Sequence, residues 1–177
     1  MSFIRVNVSG VNELLKTLNG YTERKLQIRT EKIIERLAEF GKIKAYNVYK
    51  DAVYAGTNDV SVTYNKTQDG YEISADGASV LFIEFGTGVS FPEISEEKPA
   101  GIVGHGEYGK GHGKYKGWTY PLKNGLGNAG KVITDKNGNP KGLAFTRGNP
   151  PARAMYQAKE EMIRRIKDVV QEVLNND

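Results

Sequence analysis

The chain has 177 residues, no cysteine and a formal net charge of +4, with 38% hydrophobic and 26% charged residues. That length suits a single domain, 1–177, able to bury a real core, and the composition is that of a globular rather than a disordered protein. Without cysteine there is no disulfide framework, thiolate zinc site or cysteine nucleophile; with no signal-like run after Met1-Ser2-Phe3-Ile4-Arg5 and no membrane-length apolar stretch, a soluble cytoplasmic protein is expected.

In chain order, Phe3–Val8 favours a short strand, Ser9-Gly10 punctuates, and Val11, Leu14, Leu15 and Leu18 recur at helical spacing until Asn19-Gly20. From Thr22 a longer helix is predicted, because Ile33, Ile34, Leu37, Ala38, Gly41, Ala45, Val48, Tyr49 and Ala52 form one stripe at three- and four-residue steps. Val60, Val62 and Tyr64 alternate with polar residues, Asn65 to Gly70 is turn chemistry, and Tyr71, Ile73 and Ala75 alternate again, which predicts a hairpin.

The stretch from Ala78 to Gly88 organises the rest. A run of apolar residues carries one carboxylate, Glu84, and stops at Gly86-Thr87-Gly88, where glycines permit a sharp exit. Periodicity alone separates neither helix nor strand. A helix is favoured, since Leu81 and Phe85 would share a face with Ala78 and leave Glu84 near its edge. Glu84 has no carboxylate partner for acid–base work, so its expected role is a cap or inter-element hydrogen bond, for instance to amides of the Gly86-Thr87-Gly88 turn.

Residues 89–130 read as a long, mostly irregular, mobile loop rich in glycine and lysine. A second hairpin follows: Lys131–Thr134, a turn over Asp135–Pro140, then Leu143-Ala144-Phe145. Asn149 as N-cap, with Pro150-Pro151 in the first turn, opens a final helix lined by Met155, Met162, Ile163, Ile166, Val169, Val170, Val173 and Leu174. The expected class is α+β: a long N-terminal helix and a C-terminal helix on a small, mostly antiparallel sheet, with the Gly/Lys-rich loop.

Charge is unevenly distributed. Residues 53–104 hold eight Asp/Glu and two Lys/Arg, a balance of −6; residues 105–147 hold eight Lys/Arg and two Asp/Glu, a balance of +6. Adjacent blocks of opposite sign suit contact between copies of the chain or with acidic partners, although a solvated lysine-rich loop gives the same count.

Catalytic readings find little support. Gly104 to Lys110 satisfies the first seven positions of a P-loop, but Gly111 stands where a Ser or Thr must hold magnesium, and His112-Gly113 cannot open the phosphate-binding helix. His105 and His112, with Glu107 between them, match no helical or ribbon-type ligand spacing, so no metal and no cofactor is expected. No nucleophile-elbow sequence supports a Ser-His-Asp arrangement. Lys110, Lys114, Tyr115, Lys116, Trp118 and Lys123 could track phosphates and stack on bases. With no helix or sheet platform predicted to present them, a general polyanion- or DNA-binding module acting through 105–147 is the alternative function, ahead of sequence-specific recognition.

At Phe82-Ile83-Glu84-Phe85-Gly86-Thr87-Gly88 the chain resembles the neck or tail-completion (minor tail component) family of long-tailed phages, of the Hong Kong lambdoid phage type. The family's signature is a small residue, a few apolar or aromatic positions, then Glu-Phe-Gly-Thr-Gly. Ala78 supplies the small residue, and Ile83, Glu84, Phe85, Gly86, Thr87 and Gly88 the rest. Ile4 to Val11 with Leu14, Leu15 and Leu18 is similar to the family's opening strand, glycine and leucine-rich helix. Pro150-Pro151-Ala152-Arg153-Ala154-Met155 with Ala158 is similar to its proline-led final helix. Tyr54-Ala55-Gly56-Thr57-Asn58 departs from the family, which usually shows Thr-Gly-x-Leu and a Ser there.

The resemblance implies a virion protein without catalytic residues, assembled in the host cytoplasm and placed where head meets tail. Its partners would be itself, in a ring for which six subunits is the expectation, and other neck, tail-terminator or tail-tube proteins. Non-specific contact with DNA in the channel is also implied, and no membrane. The motif residues would be structural or interface residues; apart from the resemblance, the loop around residues 105–123 is expected to reach a neighbouring subunit or the tail tube.

Overall fold

The computed structural model describes residues 2–8, 23–88 and 116–175. Strand β1 spans Ser2–Val8, helix α1 Glu23–Lys50, strand β2 Ser61–Lys66, strand β3 Tyr71–Gly77 and the short helix α2 Val80–Phe85. Strand β4 (Trp118–Pro121) runs into a 3-10 turn (Leu122–Asn124); β5 (Lys131–Thr134), β6 (Pro140–Thr146) and helix α3 (Ala154–Asn175) complete the order. The strands form two small antiparallel sheets, β1-β3-β2 and β4-β6-β5. The class is α+β, with the long N-terminal and C-terminal helices expected. The chain divides into two compact units. One holds Asn47–Val60 and Asp76–Ala154 with Met1–Phe3; the other holds Ile4–Tyr46, Ser61–Ala75 and Met155–Asp177.

In the second of these units the apolar stripe of α1 is the core it was read to be. Ile33, Ile34, Leu37, Ala38 and Ala45 are buried, with Ile73 of β3 and Ala158, Met162, Val169 and Val173 of α3. Gly41 marks a close approach: a Cβ there would lie 2.6 Å from Ile73 Cδ1 and 2.7 Å from Met162 Sδ. Ile163 departs from its predicted place, being 53% exposed. The buried line of α3 follows Met155, Met162, Val169 and Val173, and one step past Met162 turns a side chain about 100° away from it. At the surface Arg165 lies over the Phe40 ring at 4.8 Å and Arg36 at 5.8 Å, and Arg36 reaches Glu172 at 3.3 Å. Exposed pairs of this kind contribute about 0–1 kcal/mol each, so burial decides the packing. No described helix is long and apolar enough to cross a membrane.

In the other unit the second hairpin forms as predicted but gains a third strand. Trp118 pairs with Thr146 and Tyr120 with Ala144 on one side of β6; Lys131 pairs with Phe145 and Val132 with Ala144 on the other, with a register break before Thr134. The stretch 118–124 was read as part of an irregular loop and is instead strand and 3-10 turn. Its Trp-Thr-Tyr alternation is only four residues long and lies between Gly117 and Gly125, so glycine density hid it. The Asp135 turn matches its chemistry: Asp135 Oδ1 accepts from the amides of Asn137 at 2.8 Å and Asn139 at 2.9 Å. The predicted helix over Val11–Leu18 and the loop through residues 89–115 lie outside the described residues.

Gly41→Leu tests the close approach directly. The added side chain must displace Ile73 and Met162, and thermal unfolding is expected to show a loss of about 1–3 kcal/mol. Full stability in that variant would contradict the contact.

Candidate functional site

A helix of six residues cannot satisfy itself, because the first four amides and last four carbonyls of any helix lack internal partners. In α2 the surrounding chain supplies them. Ahead of the helix, Asp59 Oδ2 accepts from Ala78 N and Oδ1 from Ser79 N, each at 2.9 Å, and Oδ1 also accepts from the Ser79 hydroxyl. Ser79 Oγ in turn accepts from Asp59 N at 3.3 Å. Burial raises the Asp59 carboxyl pKa, but the hydrogen bonds from the Ser79 hydroxyl and the Ala78 and Ser79 amides together hold it below its ordinary value.

The C-terminal end is capped by a segment more than sixty residues away in sequence. Phe82 O accepts from Asn149 Nδ2 at 2.9 Å, Ile83 O from Ala152 N at 2.8 Å and Glu84 O from Arg153 N at 3.2 Å. This corrects the reading of Asn149 as the N-cap of the last helix. Its side chain serves α2, residues 151–153 stay outside any helix, Arg153 takes a positive φ of 58°, and α3 begins only at Ala154.

Glu84 is 4% exposed, not at a helix edge as expected. Its Oε2 accepts from the Tyr49 hydroxyl at 2.9 Å. The inter-element hydrogen bond was foreseen; its partner, the last turn of α1, was not. Burial, then the Glu84 charge, then the bond itself push the Tyr49 pKa upward, so the phenol stays a donor. Tyr49 is held from behind as well, since its carbonyl accepts from Asn58 Nδ2 at 2.8 Å. Of the other motif residues, Ile83 and Phe85 are buried, whereas Ala78 is exposed in the turn before the helix.

The glycines of the exit are needed for their backbone. Gly86 has φ 73° and Gly88 φ 78°, and a Cβ on Gly88 would lie 2.7 Å from Arg147 O. Between them Thr87 bridges to Asn149. Its amide donates to Asn149 O at 3.0 Å and its hydroxyl to Asn149 Oδ1 at 2.6 Å, while Asn149 N donates back to Thr87 Oγ1 at 3.2 Å.

Beside this frame lies a cleft of ≈ 540 Å³. One wall is the segment Tyr54–Thr57, pinned to the turn after β4: Thr57 N and Oγ1 donate to Asn124 O at 3.1 and 3.0 Å, and Asn128 Oδ1 accepts from Tyr54 N at 2.7 Å. Trp118, Tyr120 and Thr146 of the sheet line it too, with Phe82, Thr87 and Asn149 of the frame. Much of the polar lining is already engaged, including Thr87, Asn149 and Tyr120, whose hydroxyl donates to Leu126 O at 2.9 Å.

Of the loop candidates, Trp118 lines the cleft at 37% exposure, and Lys116 and Lys123 are exposed. Lys110, Lys114 and Tyr115 lie outside the described residues, as do His105, Glu107 and His112. Among the described residues no three His, Asp or Glu side chains converge as a metal site would require. Tyr49, Asp59, Tyr54 and Asn124 were missed. Only Asp59 carried a signal, an acidic residue in the linker ahead of the hairpin, and nothing local connects it to residue 79.

Tyr49→Phe removes the donor to a buried carboxyl and is expected to cost about 1–3 kcal/mol in chemical denaturation; an unchanged midpoint would show that the bond contributes nothing. Asp59→Ala is expected to cost about 1–2 kcal/mol at neutral pH, as loss of a helix-end acceptor does. Because the folded Asp59 pKa is depressed, its contribution is complete above the ordinary carboxylate value of 3.8 and is lost as pH falls through the folded value. The gap between wild type and Asp59→Ala should therefore close on acidification; a gap constant from pH 7 to strongly acid conditions would refute the assignment.

No protein-family model matches the chain, and neither a curated protein nor a solved structure matches it. The functional reading rests on its own residues.

Proposed function

We propose that the chain is a non-enzymatic structural protein of a phage or prophage particle, joining head to tail or completing the tail as a ring of identical subunits. The reading starts from the resemblance at Ala78 and Ile83–Gly88. The observation that supports it best is the use the fold makes of that stretch. Glu84 is tied to Tyr49, Thr87 is tied to Asn149, and Gly86 and Gly88 supply turns that bulkier residues could not follow. Polar groups spent in this way hold a framework; they do not stand ready to attack, protonate or ligate a substrate.

A ring of identical subunits needs two different, complementary surfaces on each copy. The charge balance supports this, with −6 over residues 53–104 followed by +6 over 105–147. The partners would then be neighbouring copies and the other neck, tail-terminator or tail-tube proteins, and the place of action the virion.

Electron microscopy of a lysate from the parent phage or prophage lacking this gene tests the proposal. Filled heads separate from tails, or tails of abnormal length, are expected. Intact and normally joined particles would end the reading.

A further inference from the structure

Trp118 and Tyr120 sit two residues apart on β4, so they share one face of the sheet, and that face is the wall of the cleft. Tyr54 lines the same cleft. Neither the Tyr54 hydroxyl, the Trp118 indole N–H nor the Asn124 side-chain amide makes a hydrogen bond to another described residue. Among the described residues, the cleft thus offers flat aromatic faces with unengaged hydrogen-bonding groups beside them, and no carboxylate lines it.

The segment that supplies Trp118, Tyr120 and Asn124 is positive, while the Asp59 carboxylate lies near Tyr54. Lys116, Lys123 and Arg147 are exposed and lie within two residues of the lining residues Trp118, Asn124 and Thr146. Residues 116–147 hold six Lys/Arg against the single Asp135. Aromatic faces that stack bases, beside cations that follow the backbone, are the combination by which proteins hold single-stranded nucleic acid without reading its sequence. For Trp118, β4 supplies the sheet platform that the sequence did not predict.

We propose that this cleft binds the unstacked bases of a single-stranded nucleic acid, with Lys116, Lys123 and Arg147 contacting its phosphates. A volume of ≈ 540 Å³ admits one or two bases and excludes a duplex, whose bases are already stacked on each other. Tyr54, with its hydroxyl pKa raised by burial and then by the Asp59 charge, remains a donor to a base edge at any ordinary pH. A neutral sugar would also stack on Trp118, but it would have no use for the cations. This site is independent of the particle-joining role and stands or falls by itself.

Trp118 is the only tryptophan in the chain, so its fluorescence reports on the cleft alone. Titration of the full chain with a short oligo-dT strand at low salt should quench it saturably, with affinity falling as salt rises. A duplex of the same length should quench it far less. Lys116→Glu with Lys123→Glu, both at exposed positions, should weaken strand binding about tenfold or more while the melting temperature stays unchanged. Tyr54→Leu should weaken it about tenfold through lost stacking. Absence of quenching at low salt overturns the proposal. So does equal binding of strand and duplex with no effect of Tyr54→Leu, which would reduce the interaction to surface charge. Salt-independent quenching by a neutral maltooligosaccharide would overturn it too, and would assign the cleft to sugars.

Discussion

The constraint on which the first unit depends is the shortness of α2. Six residues can close very few internal hydrogen bonds, and starting a helix costs more than so short a run returns. The helix exists because other segments complete it: Asp59 takes amides ahead of its start, and Asn149, Ala152 and Arg153 supply donors to its last carbonyls. Tyr49 then makes room for a carboxylate on its inner face. A buried carboxyl without such a donor would be expensive to keep, so the tyrosine and the glutamate are best regarded as one unit.

The same ties determine what the cleft can offer. Thr57, Thr87, Thr146 and Asn149 all line it, yet each has polar atoms already used in hydrogen bonds within the chain. What remains for an incoming molecule is chiefly aromatic surface from Tyr54, Phe82, Trp118 and Tyr120. Rigid backing gives that surface a defined shape, since the Tyr54 segment is fastened through both its amide and its carbonyl, to Asn128 and Ala129. Holding these loops together and lining a cleft are therefore compatible in one chain, because the atoms serving the two purposes are different.

Much of the architecture was legible from pattern. The stripe of α1 from Ile33 to Tyr49, the alternation on either side of Asn65–Gly70 and the turn at Asp135 are local signals, and local physics decides them. The helix at 80–85 was also read correctly. Its surroundings were not, because they are set by partners distant in the sequence. Asn149 followed by two prolines has the pattern of a helix start, and only the nearness of the Phe82 and Ile83 carbonyls diverts it to another task. Glu84 was placed at an edge because an apolar run does not advertise a phenol donor 35 residues earlier. The aromatic wall of the cleft escaped for a different reason: a four-residue strand bounded by glycines carries too few periods to be recognised.

One consequence of the Thr87–Asn149 bridge concerns the moment at which this part of the molecule can form. The two residues are separated by 62 positions, and a ribosome adding about 5–20 residues per second needs several seconds to deliver the second after the first. During that interval the Phe82–Glu84 carbonyls have no donors from 149–153, and the apolar run Val80–Phe85 has no completed framework in which to be buried. Newly made chains would thus pass through a window in which their most hydrophobic segment is accessible to chaperones or to other nascent copies. Shortening that window, by slowing nothing upstream and speeding translation of the stretch up to residue 153, would favour recovery of folded protein.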